Sequence, residues 1–204
     1  MGLALMNFAS CSEKKFKVNG TITQAKDSIL YLENMSLSGP RTVDSVKLDE
    51  SGNFEFSYKA APAPEFYRLR IANQIVNIGV DSTETINVKA AYPTMSANYE
   101  VSGSEECAKI RELAYMQLAL QNKVTAIANS NSLGVAAVED SVAKVLDVYK
   151  NKVKMDYIFK EPMKAYAYYA LFQTEQLGNA NMLIFNPRSN KEDVKVFAAV
   201  ATSW

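Results

Sequence analysis

Near Ser102 the spacing of apolar residues changes period, and that switch confines the chain to an α+β architecture. Upstream, apolar side chains recur in short alternating runs: Phe16, Val18 and Ile22 around Gly20, then Ile29 and Tyr31, then Val43, Val46 and Leu48, and then Phe54, Phe56 and Tyr58 at period two. Asp49-Glu50-Ser51-Gly52 between the last two runs reads as a hairpin turn, with glycine in the left-handed position. Further runs at 66–71, 74–80, 85–89 and 98–101 follow at the roughly 8–12-residue spacing of an antiparallel β-sandwich or barrel, so about eight strands are predicted.

Downstream, alanine-rich sequence with helical spacing predicts a small all-α helical segment. Residues 1–104 hold six of the eight glycines and four of the six prolines, which marks the boundary. Ser102 with Glu105 fits a capping box, and Ile110, Leu113, Met116, Leu120, Val124 and Ile127 form one apolar stripe. A second helix is predicted over 135–159, with Val138, Val142, Val145, Tyr149 and Val153 inward. A third spans 165–177 after Pro162, and a fourth is capped by Asn190. The expected organisation is a leader remnant over 1–11, a β domain over 12–103 and a helical domain or arm over 104–204.

Charge and side-chain inventory exclude several function classes. The chain of 204 residues carries 22 basic and 22 acidic side chains, balanced locally as well, without the basic stripe of a nucleic-acid binder. Histidine is absent, which removes Ser-His-Asp and Cys-His nucleophile pairs and histidine zinc sites. Cys11 and Cys107 are the only cysteines, so there is no C-x-x-C pair, and no dinucleotide or P-loop glycine motif occurs. No metal or cofactor is implied.

Candidate sites remain few. The acid pairs Glu105/Glu106, Glu139/Asp140 and Glu192/Asp193 each fall in the first turn of a predicted helix, where they compensate the dipole rather than divide acid and base duties. Lys150, Lys152 and Lys154 read as solvation and dipole matching. Cys107 reads as a small buried hydrophobe. In the cluster at 166–172, helical geometry sends Tyr166, Tyr169 and Phe172 or Gln173 to a packed face and leaves Tyr168 as the exposed contact. Tyr58, Tyr67, Tyr92 and Tyr99 are the aromatics expected to line a ligand or partner site on the β half.

The first ten residues, MGLALMNFAS, are too few to span a membrane. An apolar stretch ending Phe8-Ala9-Ser10-Cys11 before the polar run Ser12-Glu13-Lys14-Lys15 instead looks like the end of a bacterial lipoprotein signal, although no Lys or Arg stands before it. Cys11 would then carry the lipid and tie the protein to a membrane in the cell envelope.

The segments FKVNGTI, ILYLEN, EFYRLRI and NYEVSGSEE, together with the D-S-x-x-L-D-x-x-G-x-F-x-F run from Asp44 to Phe56, resemble the N-terminal region of Bacteroidetes lipoproteins of the thiol-disulfide oxidoreductase group. In that group a β domain of unassigned function and a helical segment precede a thioredoxin-like domain. The resemblance implies a periplasm-facing, lipid-anchored module that positions, dimerises or recruits clients for an attached or partner thioredoxin-like reductase. The reductase chemistry is expected to lie outside these residues, since none of the catalytic positions has a counterpart here, and the chain itself is expected not to be an enzyme. The alternative is a ligand-binding lipoprotein that takes a small molecule or glycan.

Overall fold

A computed structural model describes residues 14–36, 38–130, 132, 134–177 and 180–203. Cys11 and the leader remnant expected over 1–11 lie outside them.

Eight strands occupy the first half: β1 (Lys15–Thr23), β2 (Ile29–Ser36), β3 (Gly39–Lys47), β4 (Asn53–Lys59), β5 (Glu65–Ile71), β6 (Gln74–Val80), β7 (Thr85–Ala91) and β8 (Tyr99–Ser102). They form two four-stranded sheets, ordered β4-β1-β7-β8 and β3-β2-β5-β6. Phe16, Val18, Phe56, Ile86 and Val88 from the first sheet meet Leu30, Leu32, Tyr67, Leu69 and Ile78 from the second in one buried cluster. Each fully buried side chain of this size contributes about 1.5–3 kcal/mol, so the alternating runs close the sandwich. All pairings are antiparallel except β1 with β7, which is parallel with Val18 opposite Ile86.

The expected hairpin at Asp44–Phe56 is instead a crossing between sheets, because β3 pairs with β2 while β4 pairs with β1. Asp49 makes the turn: its Oδ1 accepts from Ser51 N at 2.8 Å and Ser51 Oγ at 2.6 Å, and Gly52 follows at φ +65°. Phe54 and Phe56 then face the core, as their period requires. Gly20 is demanded more strictly, since a Cβ there would lie 1.8 Å from Val88 O in the neighbouring strand.

The outer face of the second sheet carries a buried ion cluster. Glu33 is 4% exposed; its Oε2 accepts from Arg68 Nε at 2.6 Å, its Oε1 from Arg70 Nε at 2.9 Å. Arg70 also stacks over Tyr31, 4.5 Å from the ring centre.

The second half contains α1 (Glu105–Ala128), α2 (Val135–Val153) continued by a five-residue π-helical turn (Lys154–Ile158), α3 (Ala165–Leu171), and α4 (Lys191–Ala201). It is not all helix: β9 (Thr174–Leu177) and β10 (Ala180–Leu183) form a small hairpin where the third helix was expected to continue. Phe172 ends α3, and Gln173 behind it is held inside by Tyr149 and Leu113, which turns the chain out of the helix.

The cap of α1 also falls later than predicted. Ser102 is still strand and Gly103 turns at φ +85°, so Ser104 becomes the N-cap and accepts from Cys107 N at 3.3 Å. Asn190 caps α4 as expected, accepting from Glu192 N at 2.9 Å. Glu105/Glu106 and Glu192/Asp193 occupy first turns, but Glu139/Asp140 do not: α2 starts at Val135 as predicted, and the two acids fall past its first turn. The second member of each first-turn pair is buried and holds tertiary structure. Glu106 accepts from Tyr166 N at 3.0 Å beside Lys164, and Asp193 accepts from Asn186 N at 2.8 Å and pairs with Lys150 at 2.7 Å. Lys150 is therefore an internal ion-pair partner rather than a solvating charge.

Candidate functional site: a cleft between sandwich and helices

The helices reach the sandwich through β6. Gly79 has no side chain to hold α1 away; a Cβ there would meet Ile110 Cδ1 at 2.7 Å. Cys107 Sγ donates to Gly79 O at 3.1 Å, and burial pushes its thiol up to about 12. That removes the nucleophilic thiolate and agrees with the reading of Cys107 as an inert buried residue. Beside β8, Tyr115 ties α1 down, accepting from Tyr99 N at 2.7 Å and donating to Tyr99 O at 2.9 Å.

This docking lays α3 along the outer edge of β5 and β6 and leaves a cleft of about 790 Å³ between them. Phe66, Ile75 and Asn77 form its floor; Tyr168, Tyr169 and Phe172 form its helical wall. Phe66 stacks on Tyr168 with ring centres 5.5 Å apart and planes at 17°, and Tyr168 meets Phe172 at 4.9 Å. Asn77 Nδ2 donates to Tyr169 OH at 3.1 Å, so strand and helix are pinned across the base of the cleft.

Apart from Glu65, whose carboxylate is hydrogen-bonded, the polar side chains of the cleft are uncharged. Glu65 Oε2 accepts from Tyr67 OH at 2.7 Å and from Asn34 Nδ2 at 3.1 Å. Burial holds both Tyr67 and Tyr169 in the phenol form, the latter pushed up to about 12. Amides complete the far end, where Gln117 Nε2 donates to Thr174 O at 2.7 Å and Gln173 Nε2 to Gln117 Oε1 at 3.2 Å. A largely apolar concavity with a few fixed amides and hydroxyls is the usual form of a small-molecule site.

Two of the five nominated tyrosines, Tyr67 and Tyr168, meet in this cleft. Tyr58 packs inside the sandwich, 6.2 Å from the Tyr67 ring. Tyr92 is half-buried in the turn after β7, and Tyr99 is buried against Tyr115. Of Phe172 or Gln173, one of which was expected on the packed face, Gln173 is the buried one at 3% exposure, while Phe172 is 49% exposed at the cleft's edge. Phe66 was not singled out, yet its strand shows the signal: it is the apolar member of an otherwise charged face with Arg68 and Arg70. Among the described residues no cluster of three or more His, Cys, Asp or Glu could hold a metal, and no helix is long and apolar enough to cross a membrane.

Fold and site together define a β-sandwich with a helical layer across one sheet and an aromatic cleft at the junction. Residues 16–109 match the family described as a domain of unknown function (DUF4369), a span that takes in the sandwich and the first turn of α1. No curated protein matches the chain. Among solved structures, a 9R-lipoxygenase from Cyanothece PCC8801 aligns at 13% identity and a TM-score of 0.25, over 72% of this chain and 30% of that one. The chain thus spans under a third of that lipoxygenase, and a likeness at this level carries no argument.

Proposed function

We propose that this chain is a non-catalytic binding module of an envelope lipoprotein, attached to the membrane through Cys11. Its binding site is the cleft between α3 and the β5–β6 edge. The observation that carries the reading is a cleft lined by the aromatic rings of Phe66, Tyr168 and Phe172 together with amides, its one carboxylate hydrogen-bonded by two donors. Such a lining suits a neutral ligand with an apolar face and several hydroxyl or amide groups, a small molecule or a glycan. The test is calorimetric titration with neutral oligosaccharides and neutral amphiphiles. A panel member should bind wild type, and Tyr168→Ala should weaken it about tenfold, the usual order for a buried aromatic contact. Equal binding by the variant, or no binding across the panel, would overturn the assignment.

A second reading draws on a different surface. Val148, Met155 and Phe159 are exposed at helical spacing along α2 and its π-helical turn. That apolar stripe suits the scaffold role, in which the module dimerises or docks a thioredoxin-like domain and its clients. Chemical-shift mapping with a thioredoxin-like domain would place contacts on this stripe if the role holds.

A further inference from the structure

A second cleft, of about 540 Å³, lies between α2, the β9–β10 hairpin and the loop entering α4, away from the aromatic one. Glu175 lines it. The residue is only 4% exposed, and neither carboxylate oxygen has a hydrogen-bond partner among the described residues. Folding does not tolerate such a group without reason, because a buried charge is costly unless it is paired.

Two donors beside the cleft are engaged with other acceptors. Tyr149, whose hydroxyl feels the Glu175 charge, donates to Gln173 Oε1 at 2.7 Å. Lys150 is held 2.7 Å from Asp193 Oδ2 and sits over the Phe185 ring. Asp147, Glu175 and Asp193 face Lys150 and Lys191, leaving one negative charge in excess around the cleft. Val142, Leu146, Leu183 and Ile184 supply aliphatic walls. With no three-ligand metal cluster among the described residues, the arrangement favours an organic cation on an aliphatic stem.

We propose that this cleft binds an alkylammonium or alkylguanidinium group, with the stem between α2 and the hairpin and the cationic head on the unpartnered Glu175 carboxylate. The same chemistry is offered by a free amine and by a lysine or arginine side chain of a bound peptide. Burial raises the proton affinity of Glu175, so capture of a cation expels any proton held there and binding strengthens as pH rises.

The experiment titrates the full chain with n-pentylammonium, with blocked Gly-Lys-Gly and Gly-Arg-Gly tripeptides, with n-pentanol as the uncharged control and with calcium alone. At least one organic cation should bind, pentanol and calcium should not, and Glu175→Gln should weaken binding tenfold or more. Tighter binding of a tripeptide than of pentylammonium identifies a peptide as the source; the reverse order identifies a free amine. Ala143→Trp, at an exposed helical position on the rim, leaves Glu175 in place and blocks entry, so it should abolish binding even where Glu175→Gln misfolds. The proposal is overturned if pentanol binds equally, if calcium occupies the site, if either folded variant binds as wild type does, or if no cation binds.

Discussion

Glu33→Gln probes how the outer face of the second sheet is held. In the native protein Glu33 makes three short contacts: Arg68 Nε at 2.6 Å, Arg70 Nε at 2.9 Å and Arg70 Nη2 at 2.8 Å. At such separations each charge pair attracts by about 4 kcal/mol with an effective dielectric near 20, and burying the carboxylate offsets much of that. Glutamine keeps the shape and one acceptor but leaves two guanidinium groups without a counter-charge. Because the Arg68 and Arg70 side chains are 20% and 27% exposed, they recover part of their hydration. The expected loss is therefore about 2–3 kcal/mol, below the 3–5 of a fully buried broken pair.

The effect also has a pH signature. The Arg70 hydrogen bond, with Arg68 adding to it, holds the Glu33 carboxyl below its ordinary 4.5. A depressed folded value means that this stabilisation is complete above pH 4.5 and fades as pH falls through the folded value. Denaturant unfolding of wild type and variant, followed by circular dichroism from pH 7 downward, should show the gap at neutral pH and its closure in acid. A gap under about 0.5 kcal/mol at pH 7, the range of ordinary surface substitutions, would refute the reasoning, as would one that persists unchanged in acid.

Three further outcomes follow from the packing. Gly20→Ala places a Cβ 1.8 Å from Val88 O in the middle of a sheet and should destabilise by more than about 3 kcal/mol or prevent folding, measured by denaturant unfolding. Cys107, 1% exposed with its thiol pushed up to about 12, should resist Ellman's reagent at pH 8 until the protein is unfolded; a rapid stoichiometric reaction of the native protein would contradict its placement. Glu175 has the opposite pH sign to Glu33, since burial raises its folded value. Glu175→Gln should thus be neutral below pH 4.5 and stabilise the amine-free protein by about 1–2 kcal/mol at pH 7, read from the same unfolding curves.

The eight sandwich strands, the four helices and most of the core stripe were legible from periods two and 3.6, whereas the β9–β10 hairpin was not. Ile110, Leu113, Leu120 and Val124 face inward as their spacing requires. What local pattern could not carry was pairing at a distance. The Asp49 turn looks the same whether β3 and β4 pair or part, and only the two-sheet arrangement decides. The parallel partnership of β1 with β7 and the burial of Glu106 and Asp193 are likewise products of tertiary packing.

The candidate site was half legible for the same reason. Tyr67 and Tyr168 were visible as aromatics on opposite halves of the chain, but the contact that makes them a site, Phe66 against Tyr168, joins residues 102 positions apart. It depends on Gly79 letting α1 settle on β6. Glu175 gave no local signal at all, since a lone carboxylate in a short strand looks exposed until helix and hairpin close over it.

The central claim is that the cleft between α3 and the β5–β6 edge is where this protein binds. The most direct measurement is a tyrosine-selective carbon-13 NMR spectrum, recorded while the panel of neutral oligosaccharides and amphiphiles is titrated in. The account predicts that a panel member moves the signals of Tyr67, Tyr168 and Tyr169 together and leaves Tyr92 and Tyr99 in place. Movement of Tyr92 or Tyr99 with a stationary Tyr168, or no movement for any member, would contradict it.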